Sequence, residues 1–400
     1  MTEPAIPITR PLLGLEEVDA LRLPLERGWL VQGPEVAAFE EGFAAFTGAP
    51  HAVASTSCTT ALHLAMAALD VGPGDEVIVP AFTWIATANV VEYQGARPVF
   101  VDVDLATFNV TAEAVEAAIT PRTVGVLPVH LFGLAAPMGP ILELARARGL
   151  WVVEDAACGF GATSGGRHVG TLGNAGAFSF HPRKSITTGE GGMLTTADDT
   201  LAAAARSLRD HGATRTDLER HAGHAGYLLP AFPRLGFNYR MTDLQGALGR
   251  VQLLRAEEIL DGRRRAAHAY RQLLADVDWL ALPDEPEGDR HGWQAFVTLF
   301  RPETPSLENA DRLHAWRNAL MGVLEAQGIA TRQGTHAPVL TAYYAERYGL
   351  RPDAFPNAFL ADRLSLALPL FPQLTDAELE RVATSLRAAL DAAHEEVGRG

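Results

Sequence analysis

Between residues 51 and 180 the chain alternates short apolar runs with stretches of helical spacing. The runs Glu76-Val-Ile-Val-Pro80, Pro98-Val-Phe-Val-Asp102, Val124-Gly-Val-Leu-Pro-Val129 and Leu150-Trp-Val-Val-Glu154 lack the in-and-out alternation of a strand with one wet face. Uninterrupted apolar strands belong to parallel sheets covered on both sides. The stretches between them, 84–93, 112–119 and 141–148, carry helical periodicity. Strand, helix and parallel strand in succession predict right-handed crossovers and a mostly parallel α/β sheet. Ligands in such sheets sit beyond the carboxyl ends of the strands. That rule gathers Thr59, Trp84 and Asp155, each at or just past the end of a run, on one rim.

A chain of 400 residues is long for a single core, so two domains are expected. From about residue 250 the pattern changes to long amphipathic helices with short strands near 294–300. This predicts a large α/β domain over 1–250 and a smaller α+β domain over 251–400. A net charge of −15 lacks the clustered basic footprint of a nucleic-acid binder. The run Arg263-Arg-Arg265 is too short to change that, and is expected to be a solvated helix face. Cys58 and Cys158 are the only cysteines, too few for a disulfide framework or a cysteine metal site, and no metal is expected. No apolar run approaches membrane-spanning length and no secretory pattern opens the chain, so a cytoplasmic protein without a membrane partner is expected. The segment 211–235, with several His, Gly and Pro, reads as a long loop, and 395–400 as a disordered tail.

Two stretches carry chemistry. In Ser179-Phe-His-Pro-Arg-Lys184-Ser-Ile-Thr-Thr-Gly-Glu-Gly-Gly192 one lysine stands between small and polar residues and a glycine-rich turn. Upstream, Trp151-Val-Val-Glu-Asp155 ends an apolar strand on two carboxylates. A lysine held neutral is a nucleophilic amine. An aspartate can hold the proton on a pyridine ring nitrogen, and the two together meet the requirements of pyridoxal phosphate. Ser57-Cys58-Thr59 precedes a helix, whose first amides lack intrahelical partners and whose dipole favours an anion. These residues are candidates to hold a phosphate, although Ser57 would also serve as an ordinary helix cap.

Glu154-Asp155-Ala-Ala, Ser179-Phe-His, Lys184, Thr188-Gly-Glu-Gly-Gly192 and Gly236-Phe-Asn-Tyr-Arg-Met-Thr-Asp243 occur in this order, and with them the chain resembles the DegT/DnrJ/EryC1/StrS family of sugar aminotransferases. The likeness runs from Gly28 to Phe371. It implies a fold-type I pyridoxal phosphate enzyme with a mostly parallel seven-stranded sheet in the large domain. It implies Lys184 as the residue that attaches the cofactor and moves the proton, and Asp155 on the ring nitrogen. Trp84 would stack on the ring, and Ser57, Cys58, Thr59 and Ser179 would hold the phosphate. Asn238 would reach the neighbouring subunit's phosphate in a homodimer with shared sites. Arg240 would meet the substrate's phosphates, and Arg332 and His336 match a segment near the substrate. Two positions depart from the family pattern. Cys58 stands where a glycine is usual, and Cys158 where Gln or His contacts the cofactor's phenolic oxygen. A thiol is a weak donor for that contact.

The resemblance further implies an amino-acid donor, most often L-glutamate, and a nucleotide-linked keto-sugar, with the Lys184 stretch closer to the 4-keto enzymes. A 3-keto-sugar or keto-cyclitol acceptor, and a cofactor-binding regulator without turnover, remain as alternatives. Lys184 argues against the related dehydratases, which carry histidine there.

Overall fold

A computed structural model describes residues 4–215 and 229–399. The central sheet has seven strands: β1 His51–Ser55, β2 Glu76–Pro80, β3 Arg97–Val101, β4 Thr123–Val126, β5 Trp151–Asp155, β6 Ala175–Ser179 and β7 Gly192–Thr196. Their order across the sheet is β1-β7-β6-β5-β4-β2-β3. All pairings are parallel except those of β7, which runs against both β1 and β6. The apolar runs that lacked alternation are these strands, and every residue of β2 and β7 is buried. Burial on both faces is what removes the alternation. The sheet therefore has the expected seven mostly parallel strands.

The carboxyl ends of β1, β2, β5 and β6 lie on one rim. Because β7 is reversed, its first residue reaches the same rim, with Gly192 opposite both Ser55 and Ser179. Two helices start there: α1 Cys58–Ala68 and α2 Ala86–Glu92. Further along the chain, α3 Asp243–Leu254 leads into the amphipathic α4 Ala256–Leu273. A second sheet follows, with strands β8 Leu280–Ala281, β9 Phe296–Phe300 and β10 Ser365–Leu368 paired antiparallel. The chain's beginning joins this layer, since Ile6 bridges Ile329 and the Leu370 amide donates to the Ile8 carbonyl at 3.0 Å.

Three expectations need correction or restriction. Arg263 is buried at 1% exposure rather than solvated, because on α4 it faces inward while Arg264 and Arg265 make surface pairs with Asp261 and Asp376. Of the tail expected over 395–400, residues 395–399 are the end of the helix Asp376–Arg399, whose buried apolar positions run from Leu379 to Ala393, and Gly400 lies outside the described residues. Of the loop expected over 211–235, residues 216–228 lie outside the described residues.

Two buried histidines set an acid limit to this fold. His168 accepts from the Gly161 amide at Nε2, 2.9 Å, while Nδ1 donates to the Val169 carbonyl, 2.6 Å. His291 accepts from the Trp293 amide at Nδ1, 2.8 Å. A proton on either accepting nitrogen would break its bond. Burial pushes His168 down to about 4 and His291 to about 3. The unfolded chain, with histidines near their ordinary 6.5, then binds more protons than the fold below that pH. Stability is full above about pH 6.5 and is lost as pH falls towards the folded values. We expect about 4 kcal/mol of loss between pH 7 and pH 5 from the pair, read as a shift in the urea midpoint. The variant His291→Asn, whose amide oxygen accepts without titrating, should remove about half of it. An unchanged difference between the two pH values in this variant would refute the assignment.

Candidate active site

Glu154 and Asp155 are neighbours in sequence but point to opposite faces of β5. Glu154 is fully buried and accepts from the amides of Gly170, Leu172 and Gly173, each at 2.7 Å. It also accepts from His130 Nε2, 2.9 Å, a nitrogen that carries the proton because Nδ1 accepts from the Ala136 amide. Burial alone would raise this carboxyl, but His130 and the amides outweigh it and hold Glu154 below its ordinary value. Its oxygens are saturated, so Glu154 ties down the turn 170–173 and has nothing left for chemistry.

Asp155, on the other face, opens to the rim. Oδ2 accepts from the Thr87 hydroxyl at 2.7 Å and Oδ1 from the Ala157 amide at 3.1 Å. Thr87 in turn meets Thr83 at 3.1 Å. Sequence reading missed both threonines. Their signal was a four-residue spacing beside Trp84, which puts them on one face of the chain entering α2.

Lys184 arrives from the loop after β6. Its Nζ is 3.1 Å from Cys158 Sγ, and Cys58 Sγ is 4.0 Å from Asp155 Oδ1. Both cysteines of the chain thus border this one pocket. Burial would push the Lys184 ammonium down, but Cys158 and, to a lesser degree, the Asp155 carboxylate outweigh it and hold it above the ordinary lysine value. Burial first, and then Asp155, pushes the Cys58 thiol well up, so it packs as a neutral group. The lysine is therefore held in its charged form.

The turn before α1 has a double character. Ser57 Oγ caps the helix by accepting from the Thr60 amide at 3.2 Å, and Thr60 Oγ1 accepts from the Ser57 amide at 2.9 Å. The ordinary capping role is thus realised, while Cys58 and Thr59 bring the first helical amides, which have no intrahelical acceptors. The cradle beneath them requires glycine. A Cβ on Gly192 would stand 2.2 Å from the Ser57 carbonyl and 2.5 Å from the Cys58 nitrogen, and one on Gly191 would stand 2.3 Å from Thr188 Oγ1. Ser179 lies across from Gly192, and its Oγ accepts a long 3.4 Å bond from the His181 amide.

A ring nitrogen on Asp155, an aldehyde carbon beside Lys184 and a phosphate at the Ser57–Thr59 turn need a carboxylate, an amine and a helix N-terminus on one rim. These residues supply all three, so the donor set fits pyridoxal phosphate. Trp84 offers its ring at the same rim, 57% exposed and 5.8 Å from the His336 ring. His336 is brought in from the C-terminal half by its carbonyl, which accepts from the Thr83 amide at 3.0 Å.

The remaining candidates stand further out. Asn238 is exposed and bridges Asp210 through the backbone, and Arg240 is paired with the Asp210 carboxylate. Neither bonds to Lys184, Asp155 or the helix turn, although the Tyr239 carbonyl between them accepts from the Thr56 amide at 3.1 Å. Arg332 is held beside β10 by two backbone bonds with Ala367. Burial and then the charge of Arg183 push its guanidinium below the ordinary arginine value. Arg183 had not been singled out from the sequence. Among the described residues no group of three or more metal-binding side chains gathers, and no helix is long and apolar enough to cross a membrane.

Comparison with known proteins bears on the same features. The model of the DegT/DnrJ/EryC1/StrS aminotransferase family matches residues 11–387. The spore coat polysaccharide biosynthesis protein SpsC of Bacillus subtilis (strain 168) is 37% identical over 382 residues, 96% of each chain. The aminotransferase TlmJ of Streptoalloteichus hindustanus superposes with a TM-score of 0.86 at 34% identity, covering 97% of this chain and 99% of that one. The PLP form of the sugar aminotransferase Spr1654 of Streptococcus pneumoniae does so with a TM-score of 0.88 at 26% identity, covering 97% and 99%.

Proposed function

Because the chain belongs to the DegT/DnrJ/EryC1/StrS aminotransferase family and is a pyridoxal phosphate-dependent sugar aminotransferase, we propose that it moves an amino group from L-glutamate to a nucleotide-linked 4-keto-6-deoxyhexose. The observation that carries the site assignment is the Lys184 amine set against Cys158, with Asp155 on the same rim. When bound, the cofactor supplies an electron sink for the carbon that loses a proton.

The chain's own residues do the rest. Asp155, oriented by Thr87 and the Ala157 amide, holds a proton on the ring nitrogen. Lys184 would be the residue that bears the cofactor and, once the amino donor has released it, the amine that carries the substrate proton. Ser57, Cys58, Thr59 and Ser179 hold the phosphate, with Gly192 allowing the close approach. Trp84 covers the ring face. Asn238, exposed and bonded to none of these, serves the site of a second subunit in a homodimer, and a cytoplasmic location goes with a nucleotide-sugar substrate. Residues 251–400 form the smaller domain and bring Arg332 and His336 over the opening.

Arg332 and Arg183 have the stronger claim to the substrate's phosphates. Arg240 is already neutralised by Asp210, whereas Arg332 faces another cation. A bidentate contact to a diphosphate would relieve that repulsion. Arg332→Gln is expected to raise KM for the nucleotide sugar by about tenfold or more, equivalent to about 1.4 kcal/mol, with the glutamate half-reaction unchanged. An unchanged KM would remove Arg332 from the substrate site.

The test of the whole reading is the visible spectrum of the purified protein with pyridoxal phosphate, followed as L-glutamate is added. Loss of the cofactor band should be reversed by 4-keto-sugar nucleotides and not by 3-keto-sugars or keto-cyclitols. Restoration by one of the latter instead would reassign the acceptor. A band indifferent to every amino acid would favour the regulator without turnover.

A further inference from the structure

Arg263 is a cation buried without an anion. It is 1% exposed, and among the described residues every acceptor of its guanidinium is a backbone carbonyl. Nη1 donates to Gln294 at 2.9 Å and to Trp293 and Leu370 at 3.3 Å, and Nη2 donates to Lys184 at 3.4 Å. Nε has no partner. Burial alone pulls the group down to about 10, still charged at neutral pH. Burying an uncompensated charge is costly, and an apolar side chain of similar volume commonly serves packing better. Packing therefore does not explain this residue.

The acceptors do explain it. They come from three segments: the Lys184 loop, the residues leading into β9, and the residues following β10. Only a rigid fork with several donors can join three such segments at once. Gln294, which Arg263 grips by its carbonyl, donates its own side-chain amide to the Arg183 carbonyl at 2.8 Å. The consecutive carbonyls of Arg183 and Lys184 are thus both held from the C-terminal half, one by Gln294 and one by Arg263.

We propose that Arg263, with Gln294 as its second arm, is a positioning residue for the transamination: it anchors the backbone of Lys184 so that the amine is presented to the cofactor at a constant depth. The proposal rests on the role assigned to Lys184 above. Small misplacements of a reacting group cost about 10²-fold in rate. Lysine at position 263 would keep the charge but reach fewer carbonyls than the fork does.

The test uses Arg263→Lys and Gln294→Ala, the second of which removes only a partly exposed amide and leaves the core intact. Amide hydrogen exchange is read in the cofactor-free protein, and single-turnover kinetics with L-glutamate in the loaded enzyme. The expected result is exchange faster by about tenfold confined to residues 181–188, with β2 and β5 unchanged. The chemical step should slow about 10–100-fold for Arg263→Lys and less for Gln294→Ala, with KM for glutamate unaltered. Should Arg263→Lys not fold, Gln294→Ala alone decides by its loop exchange. Wild-type exchange in 181–188, or acceleration spread evenly over the chain, would overturn the proposal. Full turnover by Lys184→Ala would instead refute the role of Lys184, an outcome that the exchange measurement on the cofactor-free chain does not depend on.

Discussion

Lys184→Ala is expected to lower the rate of amino transfer by about 10⁴-fold or more while leaving the protein folded and able to bind pyridoxal phosphate. The Lys184 side chain makes its hydrogen bond to Cys158, a weak acceptor, so removing it leaves no strong buried group unpaired. Its loss also leaves the phosphate turn at Ser57 and the Gly192 cradle untouched. Binding should therefore survive while chemistry fails, because one amine is asked both to attach the cofactor and to move the proton. The measurement is single-turnover absorbance with L-glutamate, together with added methylamine. Partial recovery by the added amine would identify the missing function as a base. Residual turnover within tenfold of wild type would end the assignment.

Asp155→Asn comes next, with an expected loss of about 10²–10³-fold, or about 3–4 kcal/mol, in the chemical step. The substitution is nearly isosteric. The asparagine oxygen still accepts from the Ala157 amide, and Thr87 can turn to accept from the new NH₂ while donating to Thr83. The fold should thus be kept and the charge alone removed. Two readouts separate the charge from general damage. The ring nitrogen loses its partner, so the chemical step slows while KM for glutamate changes little. In the cofactor-free protein Lys184 loses its carboxylate neighbour, and its pKa should fall. Labelling of the amine across pH detects that fall, and an unchanged lysine titration would show that the two side chains do not communicate.

The candidate site was unevenly legible. Lys184, Asp155 and the Ser57–Thr59 turn could be read because each sits where a strand pattern stops, and residues at the carboxyl ends of parallel strands share a rim. Thr87, Arg183, Gln294 and Arg263 could not be read, because what matters in them is the partner they meet. Arg263 shows this plainly. In sequence it is one of three consecutive arginines, and only the rotation of α4 turns it to the interior while its neighbours stay in water. Glu154 and Asp155 make the same point in reverse, since a strand sends adjacent side chains to opposite faces and so gives two like carboxylates unlike tasks.

What the sequence determined by itself was the sheet and the rim. Apolar runs without alternation can be buried only on both faces, and that requirement leaves few topologies for a chain with this rhythm. What only the tertiary structure decided was which polar groups are saturated and which are free. Glu154 is satisfied by four donors, Arg240 is neutralised by Asp210, Cys158 lies against Lys184, and Arg263 is spent on carbonyls from three segments. The physical reason is one of range. Hydrophobic burial is a property of each segment and can be read along the chain. A hydrogen bond or an ion pair belongs to two groups at once, and Arg263 meets the Leu370 carbonyl from 107 residues away.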